Sequence, residues 1–595
     1  MKIKLLLFCF AINSLSAASE IHPIKRIELV ANKILLDAPR EYKLKLYEPI
    51  NELNKICFVD FGMNYGTTES GVAYAISSIN SNETVEAEFE LSFNDRINIW
   101  INDSLVYSAK DQQKFSFSPI ERDYILQTKF STTINKGFNK VLIKSEYQYT
   151  EHSTNNRPVK WAVYLRAKNR NLRLSLEDFL MIDSSISKVQ NWLIIGSFPL
   201  PFENKRVPET KFELGQIYTF NQNNISWTIP KSTMVVENPR PHQPWGEGYL
   251  AMNYHAAGAA WAMGELGAFT GENKYTDYCL WYCDFYLKKR PYLSFQKYGL
   301  NAFNTYDNKV IDGCLLDYTG SVALPYLFLL NNKIQINNSA EYLNFIDSVK
   351  QYVVNKQTRT SEGCFNRITP KKYTIWTDDM YMGLQFLVYS AKLSKNKIEK
   401  DKLLNDAVNQ VFAFNKYVWH ENVSLYQHAQ YSDEPVSMPF WSRANGWALW
   451  AVADILANLD TKHPLYNKLM KHYKKHVNAL CMLQDKKTGF WHNVLDKPDS
   501  YEEVSGTAIF VRNIALGINK GWLPKNKYEK YVLLGWKAID SSILPDGTVK
   551  KICVGTNCSV NLQDYYNRPT ADNDTHGMLA ILFSAIEVQR MVDKK

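Results

Sequence analysis

The sequence predicts a multidomain protein: an N-terminal β-sandwich followed by an all-α (α/α)6 barrel. Three observations carry that expectation. Composition permits large cores, the texture of the chain changes between about residues 230 and 241, and everything after the change follows a glycine-marked repeat. Of the 595 residues, 45% are hydrophobic and 22% charged, which excludes a disordered chain. At about 150 residues per domain, two to four domains are expected. The 26 glycines and 22 prolines are ordinary usage and exclude collagen-like or low-complexity architecture.

The chain opens MKIKLLLFCFAINSLSAASE, with Lys2 and Lys4 ahead of an apolar run from Leu5 to Ile12, then Ser16 and Ala18 placed for signal peptidase. Residues 1–18 therefore read as a signal peptide, and the mature protein is expected to be exported, periplasmic or extracellular. Phe8 stands where a lipoprotein signal needs a small residue before Cys9. No later segment has eighteen uninterrupted apolar residues, so membrane insertion is not expected.

Residues 19–230 carry short alternating runs such as VEAEFEL (Val85 to Leu91), INIWI (Ile97 to Ile101) and VLI (Val141 to Ile143), separated by Asn, Asp, Ser and Gly. That is the pattern of half-buried strands, and it predicts a β-sandwich accessory domain. A polar turn at Asn102, Asp103 and Ser104 predicts a hairpin within INIWINDSLVY. Pro230, Pro239, Pro241 and Pro244 then suit a short, stiff linker.

From residue 241 to 595 six nearly all-apolar helical segments each carry a glycine near a polar cluster: Gly258, Gly320, Gly383, Gly446, Gly506 and Gly577, at intervals of 62, 63, 63, 60 and 71 residues. About 62 residues accommodates two helices of roughly 11 to 20 residues and two loops. Six such hairpins predict twelve helices after Pro241, closing a ring that does not need the β domain. Parallel inner helices would bring their N-terminal ends to one mouth, where unpaired N–H groups favour an anionic ligand.

The polar clusters sit at those ends. Asp317 and Asp378 lie one repeat apart and are expected on adjacent inner helices. Two neighbouring carboxylates can raise one pKa and so provide acid–base catalysis, although each aspartate on its own also suits a helix cap. In WSRANGW, Arg443 stands between Trp441 and Trp447; a guanidinium pairs with a carboxylate and indoles stack on sugar rings, whereas a structural ion pair is the plainer alternative. Aromatic residues make up 13% of the chain, in keeping with such stacking. Tyr254, His255 and His428 complete the candidate substrate-binding set, and His492 reads as a structural histidine. No His or Cys spacing suits a metal, and no cofactor is expected. Cys553 and Cys558 could close a small loop or stay free; Cys279 and Cys283 are helical neighbours that seldom bridge. The net charge of +9 is spread without a basic run, which argues against a nucleic-acid partner.

The segments YTIWTDDMYMGLQFLVYSAKL, WSRANGWALWAVADIL, GFWHNVLDKPDSYEEVSGTAIF and VGT…YYNRPTADNDTHGMLAI resemble the unsaturated glucuronyl and rhamnogalacturonyl hydrolases, glycoside hydrolase families 88 and 105, the latter more closely. The resemblance covers roughly Pro241 to the C-terminus. It implies an (α/α)6 barrel and a metal-free reaction on acidic oligosaccharides left by polysaccharide lyases, which end in a 4,5-unsaturated uronic acid. It further implies that Asp378, in the I-W-x-D motif, donates the proton and Asp317 assists, with Trp441, Arg443 and Trp447 lining the pocket. The adjacent Asp379 leaves room for a register shift of one. Many relatives carry His-Lys shortly before I-W-x-D, where this chain has Asn366 and Arg367. Protonating C4 of such an enol ether would leave an oxocarbenium-like centre at C5 for water, so the carboxylate-separation rule for retention or inversion does not apply. Two other readings compete: a polysaccharide lyase or other enzyme on the same barrel, with Tyr254 and His255 as base candidates, and a non-catalytic sugar-binding protein.

Overall fold

A computed structural model describes residues 22–38, 43–46, 58–66, 69–113, 128–149, 161–169, 171–179, 191–200, 217–220, 223–231, 234–237, 249, 251–294, 310, 315–367, 373–432 and 434–594. The expected signal peptide and the prolines at 239, 241 and 244 lie outside these residues.

Six helices close a ring: α2 (Tyr254–Thr270), α4 (Leu324–Asn331), α6 (Asp379–Leu393), α8 (Ser442–Asn458), α10 (Val504–Asn519) and α12 (Thr575–Asp593), each packed on the next and α12 returning to α2. Their residues are buried all round, which is why they read as unbroken apolar runs with little amphipathic pattern. Glycine permits the closeness. A Cβ on Gly320 would lie 2.4 Å from the carbonyl oxygen of Met382, and one on Gly446 would lie 2.9 Å from the Ile509 side chain. All six repeat glycines fall on the inner ring or, for Gly320, at its entrance.

The outer layer departs from expectation. α3 (Asn273–Ser294), α5 (Ser339–Gln351), α7 (Lys397–Asn415), α9 (Tyr466–Leu483) and α11 (Lys525–Ser541) each follow and pack on an inner helix. α12 runs to Asp593, and no further helix follows it among the described residues. Its outer partner is α1, Pro23–Asp37, from the other end of the chain. Ile27, Val30, Ala31 and Ile34 recur at helical spacing and are buried in the same core as the inner ring. Arg26 anchors α1 to the end of α11 through the Asp540 carboxylate and the Ile543 carbonyl, the latter at 2.7 Å. The expectation of twelve helices after Pro241, and of a β domain starting at residue 19, is therefore corrected: among the described residues the twelfth barrel helix comes first in sequence. An apolar face left on α12 has to be covered, and α1 covers it.

The β-rich region is an insertion between α1 and α2. Its way out and way back pair with each other, Lys43–Leu46 running antiparallel to Met234–Glu237 with Lys43 opposite Glu237. Beyond that stalk lie two antiparallel sheets. The larger runs Leu174–Ser175, Gly71–Ser81, Gly137–Tyr147, Asp95–Ile101, Ser104–Gln113, with Leu193–Phe198 also on Gly71–Ser81. The smaller runs Phe58–Asp60, Ala162–Ala167, Val85–Phe93, Thr128–Ile134. Alternation decides which residues meet: Ala73 and Ala75 join Phe89, Leu91, Ile143 and Val163 in one cluster drawn from both sheets, whereas Val72, Tyr74 and Ile76 face a second cluster. The expected hairpin turn is present, with Asn102 and Asp103 at φ 49° and 65°. No helix among the described residues is long and apolar enough to cross a membrane.

Candidate active site

The N-terminal ends of the inner helices bring the polar clusters together at one mouth. Glu503 caps α10, accepting from the Ser505 and Gly506 amides, and Asp574 caps α12. Asp378 occupies the same position on α6 but makes no capping hydrogen bond, so capping does not account for it. A short antiparallel ladder, Thr374–Trp376 on Ala429–Tyr431, sets the entrance to α6 beside His428. The Thr377 amide donates to the His428 carbonyl at 3.0 Å, which ties the two segments at this point.

Arg367 sits among three carboxylates. Its Nε and one Nη reach the two oxygens of Asp379 at 2.9 and 2.7 Å, and the same Nη lies 2.6 Å from Asp317. The guanidinium rests 4.8 Å from the centre of the Trp376 ring. Asp379 is fully buried, and burial pushes its carboxyl up to about 6 against the pull of Arg367. Arg367 itself is held above its ordinary range by Asp317 and Asp379, despite the opposing cost of burial.

Asp378 is placed differently. Its Oδ2 faces His428 Nε2 at 3.4 Å, and among the described residues neither atom has a hydrogen-bond partner. His428 is buried between the Trp441 ring, 4.5 Å away, and the Trp376 ring at 5.3 Å, and its Nδ1 meets the Tyr565 hydroxyl at 2.7 Å. Of the adjacent aspartates, then, Asp379 has both oxygens engaged by a cation, while Asp378 turns its Oδ2 to the His428 ring.

The tryptophan–arginine motif makes structural contacts that its sequence does not show. Arg443 is fully buried and stacked on Trp441, and its fork donates to the carbonyls of Cys553 (2.6 Å) and Val554 (2.7 Å) and to the Ser505 hydroxyl (2.9 Å). Three of its five N–H bonds are spent there, fastening the segment after Cys553 to the ring. Trp441 is likewise buried, its indole N–H on Asn493, and Trp447 packs against Tyr381 and Tyr254. These indoles support the floor of the site and are not open stacking platforms. Tyr254 is half-buried, close enough to Arg443, Asp317 and Asp378 to feel their charges, and burial holds its hydroxyl well above 10. His255 does not face the mouth: Nδ1 meets Thr575 at 2.6 Å, the ring packs on His576 at 4.4 Å, and burial drives its pKa well below 6.5. His492 Nδ1 meets the Ser500 carbonyl at 2.6 Å, a structural contact as expected. Cys553 and Cys558 are both free, which settles the alternatives left by their spacing.

Sequence reasoning flagged Arg367 only as a departure from relatives, and it missed Tyr565 altogether. The available signal for Arg367 was a cation eleven residues ahead of an aspartate pair, and Lys371 and Lys372 in the same stretch obscured it. For Tyr565 there was none, because its partner lies 137 residues away.

The sequence pattern of glycosyl hydrolase family 88 matches residues 225–592, more than half of the chain, and the protein belongs to that family. It is 27% identical over 279 residues to an unsaturated rhamnogalacturonyl hydrolase of Bacillus subtilis, covering 45% of this chain and 77% of that protein. An unsaturated 3S-rhamnoglycuronyl hydrolase of an Alteromonas species is 31% identical over 183 residues, 29% of this chain and 42% of its own length. Among solved structures, a family 105 glycoside hydrolase from C. acetobutylicum is similar over 57% of this chain and 94% of its own, at 21% identity and a TM-score of 0.48.

Proposed function

We propose that this enzyme removes a 4,5-unsaturated uronic acid from the non-reducing end of oligosaccharides produced by polysaccharide lyases. Asp378 gives its proton to C4 of the enol ether, and positive charge develops at C5 and the ring oxygen. Water adds at C5 as the Asp378 carboxylate takes a proton from it. The resulting hemiketal opens and releases the next sugar as an alcohol. Asp317 and Asp379, both held by Arg367, stand beside Asp378 and favour the positive charge.

The observation that carries this reading is the contrast between Asp378, whose Oδ2 is turned to the His428 ring, and its neighbour Asp379, clamped on both oxygens by Arg367. Elimination is the weaker reading, because the base it needs would be Tyr254 or His255. Burial holds the first protonated, and the second is hydrogen-bonded away from the mouth. Incubation with a panel of lyase-digested polysaccharides, followed at the absorbance band of the conjugated uronate, tests the proposal. Hydrolysis makes the absorbance fall. A rise on intact polysaccharide would mean a lyase, and no change across the panel would reject both.

Two accompanying proposals come from the sequence. The leader over residues 1–18 directs export to the periplasm or beyond, and the inserted region is a β-sandwich accessory domain. Both suit an enzyme whose substrates arise outside the cytoplasm.

A further inference from the structure

One buried contact of the site has no part in the reaction as written: the Tyr565 hydroxyl on His428. Tyr565 belongs to a short helical turn, Leu562–Tyr566, in the segment that Arg443 fastens to the ring. It is fully buried, and burial raises its pKa further, so it carries its proton. Its oxygen accepts from the Ser559 amide at 3.1 Å and meets His428 Nδ1 at 2.7 Å.

We propose that Tyr565 is a positioning residue that holds His428 in the tautomer whose Nε2–H faces the catalytic carboxyl of Asp378. The inference rests on the reading of Asp378 as proton donor. Two arguments select the tautomer. The Tyr565 oxygen already accepts from Ser559, and His428 Nδ1 is the acceptor its own proton reaches. The opposite tautomer would also turn a bare Nε2 lone pair toward Oδ2 of Asp378, 3.4 Å away, and draw the carboxyl proton onto Oδ2 and away from a substrate. With the proton on Nε2, that contact becomes donor to acceptor.

The consequence for chemistry is directional. A donor at Oδ2 keeps the transferable proton of Asp378 on its other oxygen, Oδ1. After transfer, the same N–H stabilises the new carboxylate where it stands. The Trp376 and Trp441 rings against His428 keep the imidazole from turning out of this line. The relation is that of a histidine whose outer hydrogen bond sets which nitrogen acts.

The test is Tyr565→Phe in the full-length chain, which removes one oxygen and keeps the ring. We expect kcat to fall on the order of 10- to 100-fold, the range seen when an outer partner orienting a histidine is lost, with KM little changed. We also expect the variant to have no further effect in a His428→Asn background, since it acts through His428. Nitrogen-15 NMR of histidine-labelled protein reads the tautomer without substrate. The wild type should show His428 protonated at Nε2, and Tyr565→Phe should show a mixture. An Nδ1-protonated His428 in the wild type, or unchanged kcat in a folded Tyr565→Phe, overturns the inference. Should no unsaturated uronide be turned over, the functional reading fails by itself while the NMR measurement still decides the tautomer.

Discussion

Arg367 and Asp379 meet fork to fork, Nε and Nη at 2.9 and 2.7 Å from the two carboxylate oxygens, with Asp379 shut off from water. Breaking such a pair from one side leaves an uncompensated charge, whereas replacing both partners can be close to neutral. Arg367→Met should therefore cost about 3–5 kcal/mol of stability, and Arg367→Met with Asp379→Leu should recover part of it, since Asp317 still loses Arg367. Denaturant midpoints of the two variants compare them directly, and equal losses would mean the pair is not the source.

The neighbouring aspartates should separate under the same substitution. Asp378→Asn keeps the shape and removes the titrating proton, so kcat should drop about 10²- to 10⁴-fold with little change in melting temperature. Asp379→Asn should lower stability first, because it loses one arm of a buried ion pair. Near-normal turnover by Asp378→Asn would move the acid role elsewhere.

Arg443 holds two carbonyls of the segment that carries Tyr565. Arg443→Ala leaves both acceptors buried without a donor, at about 1–3 kcal/mol each. The segment should then loosen, and kcat should fall along with any rise in KM. A variant that raised KM alone, with stability intact, would return Arg443 to a substrate-binding role.

Acid should weaken the barrel through buried histidines. Burial lowers the pKa of His472 from 6.5 to about 4, so the unfolded chain takes up a proton first as the pH falls. Stability is then full above about 6.5 and is lost progressively down to about 4, by roughly 3 kcal/mol for this residue. Unfolding free energies measured at pH 7.5 and 4.5 should differ less in His472→Gln than in the wild type.

The twelfth helix gives the strongest architectural test. A chain beginning at Val235 lacks α1 and bares the apolar flank of α12, so it should aggregate or melt early; Ile34→Ala alone should cost about 2–5 kcal/mol. Excising the insertion by joining Leu46 to Met234 through a short turn keeps α1 and its stalk, and this shorter protein should fold with full helical content and turn over a small unsaturated disaccharide. Activity in the chain from Val235 would show α1 to be dispensable.

Sequence alone determined the inner ring. Helix burial and glycine contact recur at a fixed interval, and a repeat of about 62 residues is legible without coordinates. The same periodicity placed Asp317, Asp378 and Arg443 at helix starts, and hence near one mouth. Tertiary structure decided the rest. Pro23–Asp37 has one apolar stripe that would suit a sheet or a helix equally well, and only the bare face of α12 determines where it goes. Arg443 has several donors and could bind a substrate or a carbonyl; the return of Cys553 and Val554 from more than a hundred residues away chooses the carbonyls. His428 and Tyr565 meet for the same reason. Local pattern reports which side of an element is buried, but the partner of a polar group is chosen in three dimensions, where every buried donor must find its acceptor.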